Sequence, residues 1–254
     1  MAFRTALALA VLALLAACKR DPAVVHREAG DDLLARSDFG GAAAEYAQAL
    51  AAAPAQPQVW SKLAFAKLKA GDRDGAAEAL AKQAESETDP ARKADAYRNA
   101  AGIYLQNTDQ DKAERYLLEA VRVDPADEAS LAWLGELASV RGGARVQLGP
   151  VVPAELDKAI AYYGRVIALR PDARAALGNR RIAIVKYLAA LEDERAAQAA
   201  RLKRAGRDAA AAADATDRIA KAEAKKTELE KLLAESNAKL SAARNAGATG
   251  ATPR

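Results

Sequence analysis

The sequence predicts an all-α fold, a solenoid of helical hairpins followed by a long charged C-terminal helix or short coiled coil. Three observations carry that expectation. About 70 of the 254 residues are alanine, 28% are charged, and β-branched runs are nearly absent. Alanine loses the least entropy on entering a helix, so this composition favours helices throughout. A helix-turn-helix pattern recurs through the middle of the chain, and from about Glu192 to Arg244 no proline interrupts a run dominated by Ala, Lys, Arg, Glu, Asp and Leu. The length allows one or two domains.

Composition also excludes most site chemistry. With one histidine and one cysteine, the chain cannot form an internal disulfide, a Cys/His zinc cluster or a two-histidine metal motif. A nucleophile relay would have to use His26, which no motif supports. No paired-carboxylate motif, phosphate loop or nucleophile motif is present. The sequence therefore predicts no catalytic residues, no metal site and no cofactor; the protein is expected not to be an enzyme.

Residues 1–17 read as an address. Arg4 supplies a positive start, and Ala6 to Ala17 is a run without charge. Twelve or so apolar residues are too few to span a bilayer core, which takes ~20 in a helix, and the layout is that of a secretory signal. The run ends Leu15-Ala16-Ala17-Cys18, which resembles the bacterial lipobox, where a dedicated peptidase cuts before the cysteine. The resemblance implies that Cys18 becomes the lipidated, palmitate-bearing first residue, with 18–22 as a short linker. Several acyl chains anchor stably where one binds only marginally. Lys19 after the cysteine resembles the outer-membrane sorting case, so the expected location is the outer membrane, facing the periplasm. The inner membrane is the alternative.

The repeat occupies residues 23–173. Three strings align: SDFGGAAAEYAQALAAAP ending at Pro54, TDQDKAERYLLEAVRVDP ending at Pro125, and ELDKAIAYYGRVIALRP ending at Pro171. A fourth, GDRDGAAEALAKQAESETDP, ends at Pro90. Upstream of each lies a helix with apolar spacing, most plainly VWSKLAFAKLKAG and ASLAWLGELA. This pattern resembles the tetratricopeptide repeat, a helix-turn-helix unit of about 34 residues.

In that register the large first-helix residue is His26, Trp60, Tyr97 or Leu131. One turn on come Ala29, Leu63, Ala100 and Leu134, then the small residues Gly30, Ala64, Ala101 and Gly135. The second-helix small residue is Ala42, Ala76, Ala113 or Ala159. It is followed by Tyr46 with Ala49, Leu80 with Gln83, Leu117 with Ala120, and Tyr163 with Val166. Antiparallel helices approach closely only where side chains are small, with large knobs filling the remaining gaps. Proline stops the second helix. The four repeats fall at about 23–56, 57–93, 94–127 and 128–173.

Two departures stand out. Gln83 sits where a small residue belongs, so the second helix of repeat two is expected to pack loosely. An insertion at 140–154, within VRGGARVQLGPVVPAE, holds enough glycine and proline to make it a loop. Long loops in compact folds are often functional, and a solvated insertion without a role is the equal alternative.

Beyond Pro171, Leu177, Ile184, Leu188 and Leu191 share one helical face, which predicts a capping helix over 174–191. Arg180 and Arg181 occupy positions where a fifth repeat would need Leu and a small residue, so a cap is expected in place of another repeat. The charged tail, 192–244, alternates by three and four through Ile219, Ala222, Lys226, Leu229, Leu233, Ser236 and Leu240, a heptad seam. Gly206 offers a bend. The seam is open to folding back, to pairing with a second copy as a homodimer, to a partner's helix, or to no partner at all. Residues 245–254 are expected to be disordered.

Charge divides unevenly. Residues 19–173 carry 20 basic and 24 acidic side chains, whereas 174–254 carry 17 and 10. Arg201, Lys203, Arg204 and Arg207 make a candidate basic face. The export signal and the lack of interleaved aromatics argue against nucleic acid; envelope anions are its candidate partners, and a solvated charged helix without a partner is the commoner alternative.

Such solenoids form a concave surface from their first helices. In the repeat register that groove includes Arg27, Asp31, Ser61, Phe65, Lys69, Asp95, Arg98 and Gln106, and suits an extended or helical segment of another protein. Arg27, Arg98 and Asn99 do not reproduce the carboxylate-clamping set of some family members. The resemblance thus implies a lipid-anchored periplasmic scaffold or adaptor. Through its repeats it would bind other envelope proteins in an assembly of the secretion, pilus, motility or outer-membrane biogenesis type. The alternative is a structural tether between outer membrane and cell wall that uses the basic coiled tail.

Overall fold

Aspartates start most of the helices. The computed structural model describes residues 20–106, 109–145, 149–206 and 208–248. In it the side chains of Asp21, Asp38, Asp72, Asp89, Asp109 and Asp127 each accept a hydrogen bond from a backbone N–H two or three residues on. Each satisfies a donor that the first helical turn leaves without a partner. Pro22, Pro57, Pro90 and Pro153 sit at the starts of their helices, where no N–H is needed. The expected signal segment 1–17, Cys18 and Arg207 lie outside the described residues.

The chain divides into two compact units, residues 1–124 and 125–254. The first unit holds α1 (Pro22–Ala35), α2 (Phe39–Ala52), α3 (Pro57–Lys69), α4 (Arg73–Ser86), α5 (Pro90–Leu105) and α6 (Gln110–Val123). These pair as hairpins α1–α2, α3–α4 and α5–α6, and α2 packs on α3 as α4 packs on α5. The small residues of the register, Gly30, Ala64, Ala101, Ala42, Ala76 and Ala113, are all buried, together with the knobs Tyr46, Leu80 and Leu117. His26 is half-buried, its Nδ1 2.7 Å from Glu45 Oε2. The turns inside the first two hairpins use a left-handed residue, Ser37 (φ 61°) in one and Gly71 (φ 90°) in the other.

One boundary differs from the expected repeats. Pro90 does not merely end repeat two; it begins α5, four residues before the third repeat was expected. Proline's fixed φ suits the first helical position, and the Asp89 side chain caps it.

The second unit holds α7 (Glu128–Arg141), α8 (Pro153–Leu169), α9 (Arg174–Ala205) and α10 (Ala209–Ala248). α7 pairs with α8, α8 packs on α9, and α9 pairs with α10. The expected cap over 174–191 and the first part of the tail are therefore one continuous helix, since nothing between Leu191 and Ala205 breaks it. The chain reverses at Gly206 (φ 55°) and α10 folds back on α9. Among the described residues the unit thus ends in an elongated hairpin. Arg180 is accommodated in it, buried, with Nη1 3.9 Å from Glu235 Oε1, while Arg181 faces solvent. α10 also runs to Ala248, into the segment expected to be disordered.

The seam of α10 buries Ala215, Ala222, Leu229, Ser236 and Ala243. Ion pairs flank it: Arg195 with Glu223 at 2.7 Å, Arg201 with Asp214 at 3.3 Å, and Lys226 with Glu192 at 3.3 Å. A homodimer through this seam would have to open the hairpin first. The insertion leaves α7 at Gly142 and rejoins at α8. It is closed at its neck by Val152 N–H donating to Gly142 O at 3.3 Å, and by Gly143 (φ 76°), whose missing Cβ would lie 2.6 Å from Pro150 O.

Candidate partner-binding site

In the first unit, several of the expected groove residues are already committed to one another. Asp31 accepts from Tyr46 Oη at 2.6 Å and from Lys62 Nζ at 2.7 Å, which links the first hairpin to the second. Burial alone would raise the Asp31 carboxyl. The hydrogen bonds from Lys62 and Tyr46, with the charges of Lys62 and Arg27, outweigh it and hold the group below its ordinary value. Burial and the Asp31 carboxylate push the Tyr46 phenol up in turn. Asp95 pairs with Arg98 on the same helix. Lys69 Nζ lies 5.5 Å from the centroid of the exposed Phe65 ring. Ser61 and Gln106 are exposed, and Arg27 is half-buried.

The motif at Asp31 recurs. Asp74 accepts from Tyr104 Oη at 2.6 Å and from Lys112 Nζ at 2.8 Å. In the second unit, Glu136 accepts from Tyr163 Oη at 3.1 Å and from Arg145 Nε at 3.1 Å. Asp157 accepts from Tyr187 Oη at 3.3 Å and lies 2.8 Å from Lys225 Nζ. Burial, with the nearby Glu136 charge, pushes the Tyr163 phenol up to about 12. Each carboxylate is satisfied by one phenol and one cation, so these groups brace the helices and offer little free charge to a partner.

Besides Phe65 and Leu68 of α3, an exposed apolar surface lies in the second unit. The register that placed Phe65 and Lys69 on the groove places Val140 of α7 and Ile182 of α9 at the equivalent positions; Trp133, seven before Val140, and Val185, three after Ile182, lie on the same sides, because residues three, four and seven apart share one side of a helix. All four are exposed, by 39–50%. Between these helices Arg145, from the start of the insertion, bonds both Glu136 and Asn179 Oδ1, the latter at 3.3 Å. Further along α9, the insertion forms the wall of an open cleft of about 780 Å³. Pro150, Val151 and Pro153 face Tyr187, Ala190 and Leu191 across it, with Lys186, Asp193 and Glu194 at its rim. The expected groove residues end at Gln106 in the third repeat; the same register carried into α7 and α9 reaches Val140 and Ile182.

The expected basic face is partly neutralised. Arg201 pairs with Asp214 across the hairpin, and Arg204 Nε donates to its own helix at Ala200 O, 3.2 Å away; Lys203 is exposed. Among the described residues no cluster of His, Cys, Asp or Glu is placed to hold a metal, and no helix is long and apolar enough to cross a membrane.

Comparison with known proteins agrees with this architecture. The tetratricopeptide repeat family matches residues 33–94, the span from the end of α1 into α5. None of the curated proteins matches the sequence. Among solved structures, a TPR repeats protein from Bacteroides fragilis is similar over 87% of this chain and 99% of its own, with a TM-score of 0.50 and 15% identity. MamA from Desulfovibrio magneticus, from its residue 41 onward, aligns over 84% of this chain and 97% of its own, with a TM-score of 0.43 and 17% identity. YrrB, a TPR protein with an unusual peptide-binding site, aligns over 82% and 90%, with a TM-score of 0.43 and 13% identity. At these identities the likeness is one of fold. The family match identifies tetratricopeptide repeats at residues 33–94, and the hairpins in that register, with small residues under large knobs, continue the same architecture on either side of it.

Proposed function

We propose that the protein is a lipid-anchored scaffold of the bacterial envelope, facing the periplasm from the outer membrane, that holds partner proteins of an envelope assembly on the first-helix faces of its repeats. One observation supports the binding role above the others: Trp133, Val140, Ile182 and Val185 stand exposed on those faces of α7 and α9. Leaving such side chains in water forgoes the stabilisation their burial would bring, and apolar patches of this kind mark interaction sites. An aromatic anchor beside aliphatic residues suits the apolar side of a partner helix or an extended segment. Arg145 neutralises Glu136 between the two helices, so the face asks for apolar complementarity more than for charge.

The anchoring role rests on Leu15-Ala16-Ala17-Cys18 and the uncharged run before it. The tether reading has less support, because Arg201 of the basic face is already paired with Asp214.

The test is a photo-crosslinking amino acid placed at Trp133 or Val185 in intact cells, followed by mass spectrometry of the adducts. An envelope protein crosslinked at both positions, and lost with Val140→Asp or Ile182→Asp at unchanged helicity, supports the reading. Adducts absent there but present along the exposed side of α10 overturn it. For the anchor, Cys18→Ser should move the protein from the membrane to the soluble fraction; an unchanged membrane fraction sinks that part.

A further inference from the structure

The α9–α10 hairpin carries a periodicity that a hairpin does not need. Every seventh residue of α9 from Leu177 to Ala205 is buried or half-buried, and so is every seventh residue of α10 from Ala212 to Leu240. Ala205 and Ala212 are themselves seven apart. One of the two seam positions therefore passes the turn at 206–208 without a change of phase. Two helices joined by a turn can meet at any rotational offset, so no constraint on a hairpin enforces that continuity. A single straight helix with a heptad seam does enforce it.

The antiparallel register of the hairpin is compatible with such a helix. Arg195–Glu223, Arg201–Asp214 and Lys226–Glu192 all have their midpoints between residues 207 and 209. If residues 174–248 were one helix, two copies placed antiparallel about a two-fold axis near residue 208 would remake each of these pairs twice between chains. No new register is required, because the hairpin already is that dimer folded on itself. The turn offers little resistance. It contains no proline, Asp208 caps α10, and Gly206, at φ 55°, must change backbone region. Geometry permits the arrangement too: Leu191, near the end of the part of α9 that α8 covers, lies about 26 Å from the two-fold at 1.5 Å per residue. The cores of the two copies would stand clear of each other.

We propose that the protein forms a two-fold dimer by exchange of α10, in which α9 and α10 of each copy run as one long helix and pair antiparallel with those of a second copy. The partner for this surface is another molecule of the same chain, and the contacts are those of the hairpin made between molecules. The inference is independent of what the groove on α7 and α9 binds.

Two substitutions at the turn push in opposite directions. Gly206→Ala penalises the positive φ of the turn and favours a continuous helix, so it should tighten dimerisation by about an order of magnitude. Ala209→Pro sits at the first position of α10, where proline is tolerated in the hairpin, but would break a continuous helix. It should yield a monomer with helix content unchanged. Light scattering on the full-length chain across a concentration series reads both. A third arm mixes Arg195→Glu with Glu223→Arg. Each alone places like charges together in hairpin and dimer alike, whereas the mixture can pair correctly only between molecules, so a heterodimer in native mass spectra is expected. A wild type and a Gly206→Ala variant that both stay monomeric at the highest concentration would overturn the proposal. So would a dimer that survives Ala209→Pro, which places the association elsewhere.

Discussion

Gly135 of α7 and Tyr163 of α8 meet so closely that a Cβ added to the glycine would lie 2.8 Å from Cε1 of the ring. Gly30 and Tyr46 repeat the arrangement in the first unit, at 2.7 Å. The aromatic residue serves as the knob, and the glycine is the hole that lets the two helices of a hairpin approach.

Gly135→Ala therefore forces the buried Tyr163 ring aside and should cost about 1–3 kcal/mol, the usual range for overpacking. Gly164→Ala is the control. It lies within α8, nothing stands within 4 Å of its added methyl, and it should gain up to about 1 kcal/mol from helix propensity. Urea denaturation measures both; equal effects at the two positions would disprove the knob-and-hole account.

The Asp31 carboxyl sits below its ordinary value because the hydrogen bonds and charges around it outweigh burial. A group with a depressed folded pKa contributes stability that is fully present above its unfolded value, about 3.9 for Asp, and is lost as pH falls through the lower folded value. The stability gap between wild type and Asp31→Asn should thus be constant from neutral pH down to about 5, and should shrink below about 4. Denaturation midpoints at several pH values read this. A gap unchanged in strong acid would assign the loss to packing and not to charge.

Ser37 holds φ at 61° in the turn of the first hairpin, where the second uses Gly71. A side chain in the left-handed region costs about 1–2 kcal/mol, partly offset by the backbone entropy glycine loses on folding. Ser37→Gly should stabilise by about 0.5–1 kcal/mol, and Gly71→Ala should destabilise by a similar amount. Thermal melts of the two variants moving in the same direction would contradict this.

Gln83 replaces the small residue of the register in α4, and its Oε1 is buried without a hydrogen-bond partner. An unsatisfied buried acceptor costs about 1–3 kcal/mol. Gln83→Ala removes it while leaving the backbone bond from Ser86 Oγ to Gln83 O in place, so the melting temperature should rise. A fall would mean that the packing of the glutamine stem outweighs the orphaned oxygen.

The sequence by itself determined the helical class, the hairpin register, and the small and large positions that Gly30, Gly135, Tyr46 and Tyr163 occupy in it. These follow from local spacing, since a residue and those three, four and seven away share a helical face whatever else the chain does. It also offered a bend at Gly206, because a lone glycine between long alanine-rich runs is where a helix can end. Only the tertiary structure decided that Asp31 and Asp95 are spent on internal pairs, that Arg145 bonds both Glu136 and Asn179, and that the insertion walls a cleft along α9. Those contacts join residues far apart in sequence, and no local period specifies them. The heptad seam of the tail lay between these cases: its spacing was legible, but its partner was not. An apolar stripe records that something must cover it, and whether α9, a second copy or another protein does so depends on the length and bend of the turn before it. In the folded chain that partner is α9, matched to α10 by ion pairs on either side of Gly206.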